Sequence, residues 1–447
     1  MKLSTIFATL AALAGEATAK AVFAHFMVGN VINNYDVDKW TSDIKLAQAS
    51  GIDGFVLNIT PPLNEALRTQ IAAAFIAANN LKSEWKNFFS FDYLGNGIPW
   101  NAADIASLMK EYGPNYAYQK ASRNGVSLPF VSTFEGGNHA GDWASIKSQV
   151  DVYLVPDWTG SGADVVKANI NAGASIDGFF SWDMWPEGAN DMSTTPDKSW
   201  QSTIGDKDYM MGVSPWFFTD LKGYGKQRLW RGDDLWADRW EQVQQVNPEW
   251  VEIVTWNDYG ESHYIGPIWE AGIPQDASAN ADARWYVEGY GHQHWRDLLP
   301  YYIARYKNGS PPAVTQEKLT WWYRLSPKAA GTTQVTGNDC SYQPCLDPNA
   351  IVQDEIFFTA LISDPANTNI VVQVGDNTPV SHPATAVGIN HFSQPFNGQY
   401  GNVTFSIVRN GRGVLSGTGY AITAQPPNGK RNYNAYVGGV PDTYASL

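Results

Sequence analysis

Between residues 22 and 309, short apolar or β-branched runs alternate eight times with amphipathic stretches, and no other feature limits the possible folds so strongly. The runs begin near Val22, Gly54, Asn87, Ser127, Val152, Asp177, Asp208 and Trp250. Val22-Phe23-Ala24-His25-Phe26 and Gly54-Phe55-Val56-Leu57-Asn58-Ile59 are typical: nearly continuous apolar residues rather than alternating ones, the pattern of strands covered on both faces. Between them, residues 38–49, 65–78, 102–111 and 233–246 have helical spacing. A last stretch aligns Trp295, Leu298, Leu299, Tyr302, Ile303 and Tyr306 on one face at steps of three and four. Eight β-then-α units predict an α/β fold with a parallel sheet, which closes into a (β/α)8 TIM barrel over residues 20–311. An open doubly wound sheet is the alternative, but no glycine-rich fingerprint follows the first strand. The fifth and seventh strands are the least sharply defined.

Past Pro311-Pro312 the helical period disappears, and runs such as 355–361, 369–374 and 402–408 are separated by turn-forming residues. Residues 312–447 are therefore expected to form an antiparallel β-sandwich, joined to the barrel by a short linker. At the other end, Lys2, the mostly apolar residues 3–14 and Ala17-Thr18-Ala19 read as a secretory signal peptide over residues 1–19. A secreted chain may keep disulfides, and the only two cysteines, Cys340 and Cys345, are expected to close one small loop. Two cysteines with scattered histidines do not make a zinc site, and the His292/His294 pair has nothing nearby to complete one, so neither a metal nor a cofactor is expected. A formal charge of −14 disfavours nucleic acid and anionic membranes as partners. The charge suits action on a neutral polysaccharide, and a monomer is the default expectation. Asn308-Gly309-Ser310 and Asn402-Val403-Thr404 are glycosylation sequons; Asn58-Ile59-Thr60 is a third, expected to stay bare at a strand end before Pro61.

Enzymes built on such barrels carry their chemistry where strands end and loops begin. The strand ends offer His25, Asp92, Glu135, Asp157, Asp183 and Glu187, with Asp53 just before the second strand. The richest loop is Trp256-Asn257-Asp258-Tyr259-Gly260-Glu261-Ser262, which follows Val251-Glu252-Ile253-Val254-Thr255. Hydrolysis of a glycosidic bond needs two carboxyl groups, one acid and one base or nucleophile. Asp258 and Glu261, three apart on a loop, can turn to one cleft, whereas a regular strand would separate them. Adjacent carboxylates also raise one partner's pKa, as a general acid requires. Nineteen Trp, 22 Tyr and 19 Phe would supply flat faces for sugar rings.

Several ordered segments together resemble glycoside hydrolase family 71, the fungal α-1,3-glucanases or mutanases. They are residues 22–30, Trp40, 43–47, 51–59, 88–93, Val131-Ser132-Thr133-Phe134-Glu135-Gly136, Phe180-Ser181-Trp182-Asp183 and 256–262. The resemblance implies endo-hydrolysis of α-1,3-glucan with inversion, Asp258 and Glu261 as the catalytic pair, and an active-site role for Asp53. Asp92, Glu135, Asp183, Trp182, Trp256, Tyr259 and His25 are expected to bind substrate. Within the pair, Glu261 is expected to be the acid and Asp258 the base, with a further carboxylate such as Asp183 completing the set if the two lie too close. Unlike some family members, this chain has no Ser/Thr-rich linker leading to a glucan-binding module. The competing readings are a non-catalytic glycan-binding wall protein, which would need no such pair, and a hydrolase of another α-glucan.

Overall fold

The computed structural model describes residues 20–32, 35–340 and 344–442; the expected leader, residues 1–19, lies outside them. All eight anticipated positions carry a strand: β1 (Ala21–Met27), β2 (Gly54–Ile59), β3 (Lys86–Asp92), β5 (Val126–Phe134), β6 (Tyr153–Pro156), β7 (Gly178–Ser181), β8 (Asp208–Val213) and β11 (Trp250–Ile253). An unanticipated β4 (Lys120–Arg123) pairs antiparallel with the first half of β5. The eight lie in one curled sheet in the order β6-β5-β3-β2-β1-β11-β8-β7, and every ladder among them is parallel. The two outer strands meet through a parallel bridge between Asp157 and Phe180, and Asp177 N donates to Leu154 O at 2.8 Å.

Aromatic side chains fill the concave side of this sheet. Phe23, Phe88, Phe130 and Trp250 meet edge to face at 4.7–4.9 Å. Strand packing leaves no room for a side chain at Gly54, where a Cβ would lie 1.9 Å from Lys86 O. Helices α1 (Val37–Ala49), α2 (Glu65–Leu81) and α3 (Ala102–Tyr112) return the chain between the first strands. Their N-termini are capped by Asp36, Asn64 and Asn101, each accepting a backbone N–H at 2.8–2.9 Å. Helices α4 (Asp142–Gln149), α5 (Ala163–Asn171), α6 (Thr195–Ile204) and α7 (Leu235–Val246) continue the alternation. A hairpin, β9 (Phe218–Leu221) with β10 (Lys226–Leu229), interrupts it between β8 and α7.

Between β11 and helix α9 (Leu299–Asn308) lie the short ladder β12 (Gln275–Asp276) with β13 (Ala281–Asp282) and the single turn α8 (Arg284–Val287). The C-terminal part holds two four-stranded antiparallel sheets. One is β19 (Gly388–Pro395), β16 (Glu355–Ile362), β14 (Lys318–Tyr323) and β22 (Tyr436–Val440) in that order. The other is β18 (Val380–Pro383), β17 (Thr368–Val374), β20 (Gly401–Arg409) and β21 (Arg412–Ile422). Leu319, Trp321 and Phe358 of the first join Ile370, Val372, Phe405 and Ile407 of the second in one apolar cluster, with Trp321 stacked on Phe405 at 4.2 Å. The opposite side of β14 faces the first part, where Trp322 Nε1 donates to Asp233 O at 2.6 Å. β15 (Thr336–Gly337) adds to the β10 edge, and Cys340 and Cys345 form a disulfide. Among the described residues no helix is long and apolar enough to cross a membrane.

Candidate active site

Beyond β11 the chain folds back on itself: Thr255 N donates to His263 O at 3.0 Å, and Ile265 N to Thr255 O at 3.0 Å. Asn257 anchors the start of the loop by imitating a strand. Its Oδ1 accepts from Met27 N at 2.7 Å and its Nδ2 donates to Met27 O at 3.1 Å. Thr255 Oγ1 accepts from Asp258 N at 2.8 Å and bonds His263 Nδ1 at 3.1 Å. These ties hold Asp258 and Glu261 above the end of β11.

Glu261 is bracketed by two hydrogen-bond donors. Its Oε1 accepts from Lys226 Nζ at 3.1 Å, and its Oε2 lies 3.1 Å from His263 Nε2. With its proton on Nε2, His263 donates to Glu261 and accepts from the Thr255 hydroxyl, so both ring nitrogens are satisfied. Burial alone would raise the Glu261 carboxyl, but Lys226, His263 and Arg228 together hold it well below the usual range. Asp258 is shifted the other way. Burial pushes it up, the Glu261 charge adds to that, and His263, Lys226 and His25 offset only part. Their surroundings therefore push the two carboxyls in opposite directions, Asp258 up and Glu261 down.

One ligand atom each from Asp258, Glu261 and His263 lies within 4.8 Å of the others, a spacing that could seat a cation. The Lys226 ammonium already neutralises Glu261 there and would repel one.

The remaining strand ends contribute more acids. Asp92 Oδ1 accepts from Leu94 N and Gly95 N at 2.9 and 2.8 Å; burial raises its carboxyl, while His25 and Lys226, which also act on Asp258, draw it down. Glu135 accepts from Gly160 N at 2.8 Å and is raised by burial and by the charges of Asp183 and Asp92. Asp157 is fully buried, and burial and Glu135 push it well up. Asp183 is exposed and accepts from Trp200 Nε1 at 2.6 Å. Half-buried Trp182 contacts Phe134 at 4.8 Å and His25 at 5.3 Å.

Four of the expected substrate residues are tied to protein partners. Asp53 lies before β2, at the end of the sheet opposite Asp258, where it accepts from Val22 N at 2.7 Å and pairs with Lys307 at 2.6 Å. Trp256 is fully buried and donates to Asp43 Oδ2 at 3.0 Å. Tyr259, also buried, donates to Pro267 O and accepts from Trp269 N, both at 2.9 Å. His25 is buried beneath the site with Nδ1 2.6 Å from Glu252. The polar ends of Asp53, Trp256 and Tyr259 and the Nδ1 of His25 are thus engaged by protein. His292 is buried too and bonds Tyr264 O and Ala435 O at 3.0 Å.

Sequence reasoning missed His263 and Lys226. His263 was legible as the histidine two residues after Glu261; Lys226 had no signal, being 35 residues away on a hairpin that was not foreseen. Trp185 and Phe217, packed on the His263 ring at 5.7 and 5.6 Å, were missed as well.

Two neighbouring carboxyls at the strand ends of a parallel sheet, with indoles beside them, have the layout of a glycosidase centre. The sequence matches Glycosyl hydrolase family 71 over residues 18–446, and the chain belongs to that family. It is 34% identical over 437 residues to glucan endo-1,3-alpha-glucosidase agn1 of Schizosaccharomyces pombe, covering 94% of each chain. It is 33% identical over 435 residues to a mutanase of Penicillium rubens, covering 95% of this chain and 90% of that one. Among solved structures, the GH99 endo-alpha-mannosidase of Bacteroides thetaiotaomicron superposes with a TM-score of 0.45 at 12% identity, over 64% of this chain and 97% of that one.

Proposed function

We propose that this glycoside hydrolase cleaves α-1,3-glucosidic linkages within α-1,3-glucan, as a secreted or cell-wall enzyme. Its eight parallel strands close as a (β/α)8 barrel over residues 20–311, and residues 312–447 form a β-sandwich packed against it. The substrate reading is supported by the names of the two relatives, each about one-third identical over nearly the whole chain. The observation that carries the mechanism is that Lys226 Nζ and His263 Nε2 each approach Glu261 to 3.1 Å, which favours its ionised form over that of Asp258 on the same loop. Asp258 donates its proton to the departing glycosidic oxygen. Glu261, ionised beside Lys226 and His263, takes a proton from the attacking water, giving single displacement with inversion. Trp182 offers the sugar an apolar face, and Asp92, Glu135 and Asp183 offer acceptors for its hydroxyls.

A second reading, retention, is favoured by one distance. Oxygens of Asp258 and Glu261 lie within 4.8 Å, below the roughly 6.5–9.5 Å of inverting pairs and nearer the roughly 5 Å of retaining ones. Glu261 would then be the nucleophile. Proton NMR of fresh α-1,3-glucan digests separates the two: β-anomers appearing first support inversion, whereas α-anomers first would overturn single displacement. Absence of any released sugar would overturn the substrate reading.

A further inference from the structure

Behind the catalytic loop lies a separate open cleft of about 560 Å³, within the roughly 300–1,000 Å³ of small-molecule sites. Three pieces of chain build it: the β9–β10 hairpin, the 280–285 segment and residues 332–334, with Lys430 at one wall. Its charges cancel. Asp220 pairs with Lys430 at 3.0 Å and Asp282 with Arg284 at 2.6 Å, while Lys222 adds a single further cation. Gln227 Nε2 donates to Asp220 Oδ1 at 2.7 Å, so the floor is a fixed hydrogen-bonded set rather than loose surface chains. The Trp285 ring forms part of the wall, with the Lys430 ammonium 3.5 Å from its centroid. Amides and hydroxyls of Asn280, Thr333 and Gln334 complete the lining. Nearly balanced charge with many donors and acceptors around an indole suits a neutral polyhydroxylated ligand, and gives an anion or a cation little to bind.

The cleft is joined to the catalytic pair. Asp220 and Gln227 are cross-strand partners, so they share one face of the hairpin. Their neighbours Leu221 and Lys226, also partners, share the other, and from that face Lys226 reaches Glu261. Tyr286 forms the wall between: it packs on Trp285 at 5.1 Å, and its hydroxyl donates to Gly260 O at 2.8 Å, beside Glu261.

We infer that the cleft walled by Trp285, Gln227, Asp220 and Lys430 is a second binding site for a neutral glucan chain, set back to back with the active site. The identity of the glucan rests on the α-1,3-glucan reading above. Calorimetry with short soluble α-1,3-linked gluco-oligosaccharides, on the full chain carrying Glu261→Gln to stop turnover, tests it. Two binding events are expected. Adding Trp285→Ala should leave one, and adding Lys430→Ala, on a side chain that is 48% exposed, should do the same, with folding checked by circular dichroism. A single event in Glu261→Gln alone, or two events in both double variants, would overturn the second site while leaving the catalytic reading intact. If Glu261→Gln binds nothing and the wild type releases no sugar from α-1,3-glucan, the substrate reading fails and the second site fails with it.

Discussion

Replacing Lys226 with methionine removes a positive charge 3.1 Å from Glu261 Oε1 while keeping most of the side chain's volume. At that distance the Coulomb attraction is about 1.3 kcal/mol in bulk water and about 5 kcal/mol at an effective dielectric constant of 20. Lys226 is 46% exposed, so solvent screening favours the lower figure, equivalent to about one pKa unit. In the proposed mechanism Glu261 acts ionised, so activity falls as pH drops through the lower apparent pKa of the pair. Asp258 acts protonated in that mechanism, so activity falls as pH rises through the upper one. Lys226 draws both carboxyls down, and its loss should move both limbs of the kcat/KM profile upward, the acid limb by about one unit. Lys226→Arg, which keeps the charge, should leave the profile nearly in place. The assay is hydrolysis of a soluble α-1,3-linked oligosaccharide from pH 3 to 9, with folding checked by circular dichroism. A Lys226→Met profile that stays put or moves down would refute the electrostatic account of Glu261.

Asp53→Ala should lower stability by about 1–2 kcal/mol through lost bonds to Val22 N and Lys307, with KM unchanged in steady-state assays; a raised KM would return Asp53 to the substrate. Trp256→Phe should cost about 1–3 kcal/mol in a denaturant titration, because the buried Asp43 carboxyl loses one donor and keeps the Tyr35 hydroxyl, and should leave KM as it is. Mass spectrometry of protein expressed in a secreting eukaryotic host should find glycans on the exposed Asn308 and Asn402 and none on Asn58, which is 2% exposed. Occupancy of Asn58 would contradict its placement at the end of β2.

The eight strands were legible because strands buried on both faces must be apolar throughout, and period-3.6 stretches must separate them. The Asp258/Glu261 loop was legible because two carboxylates had to emerge together from such a strand. What the sequence hid was burial and long-range partnership. Trp256 and Tyr259 look like sugar platforms beside an acidic pair, yet their polar tips turn to Asp43 and Pro267. Asp53 could have been placed by strand direction alone, since it precedes β2 while chemistry gathers where parallel strands end. The electrostatic bias between the two carboxyls was not legible, because the nearest ammonium arrives from Lys226, on a hairpin with no periodic signal strong enough to announce it.

Initial rates on α-1,3-glucan for Asp258→Asn and Glu261→Gln, each with its fold verified, test the central claim most directly. Each substitution should lower kcat by about a hundred- to ten-thousandfold. Rates near that of the wild type in both would place the catalytic groups elsewhere in the molecule.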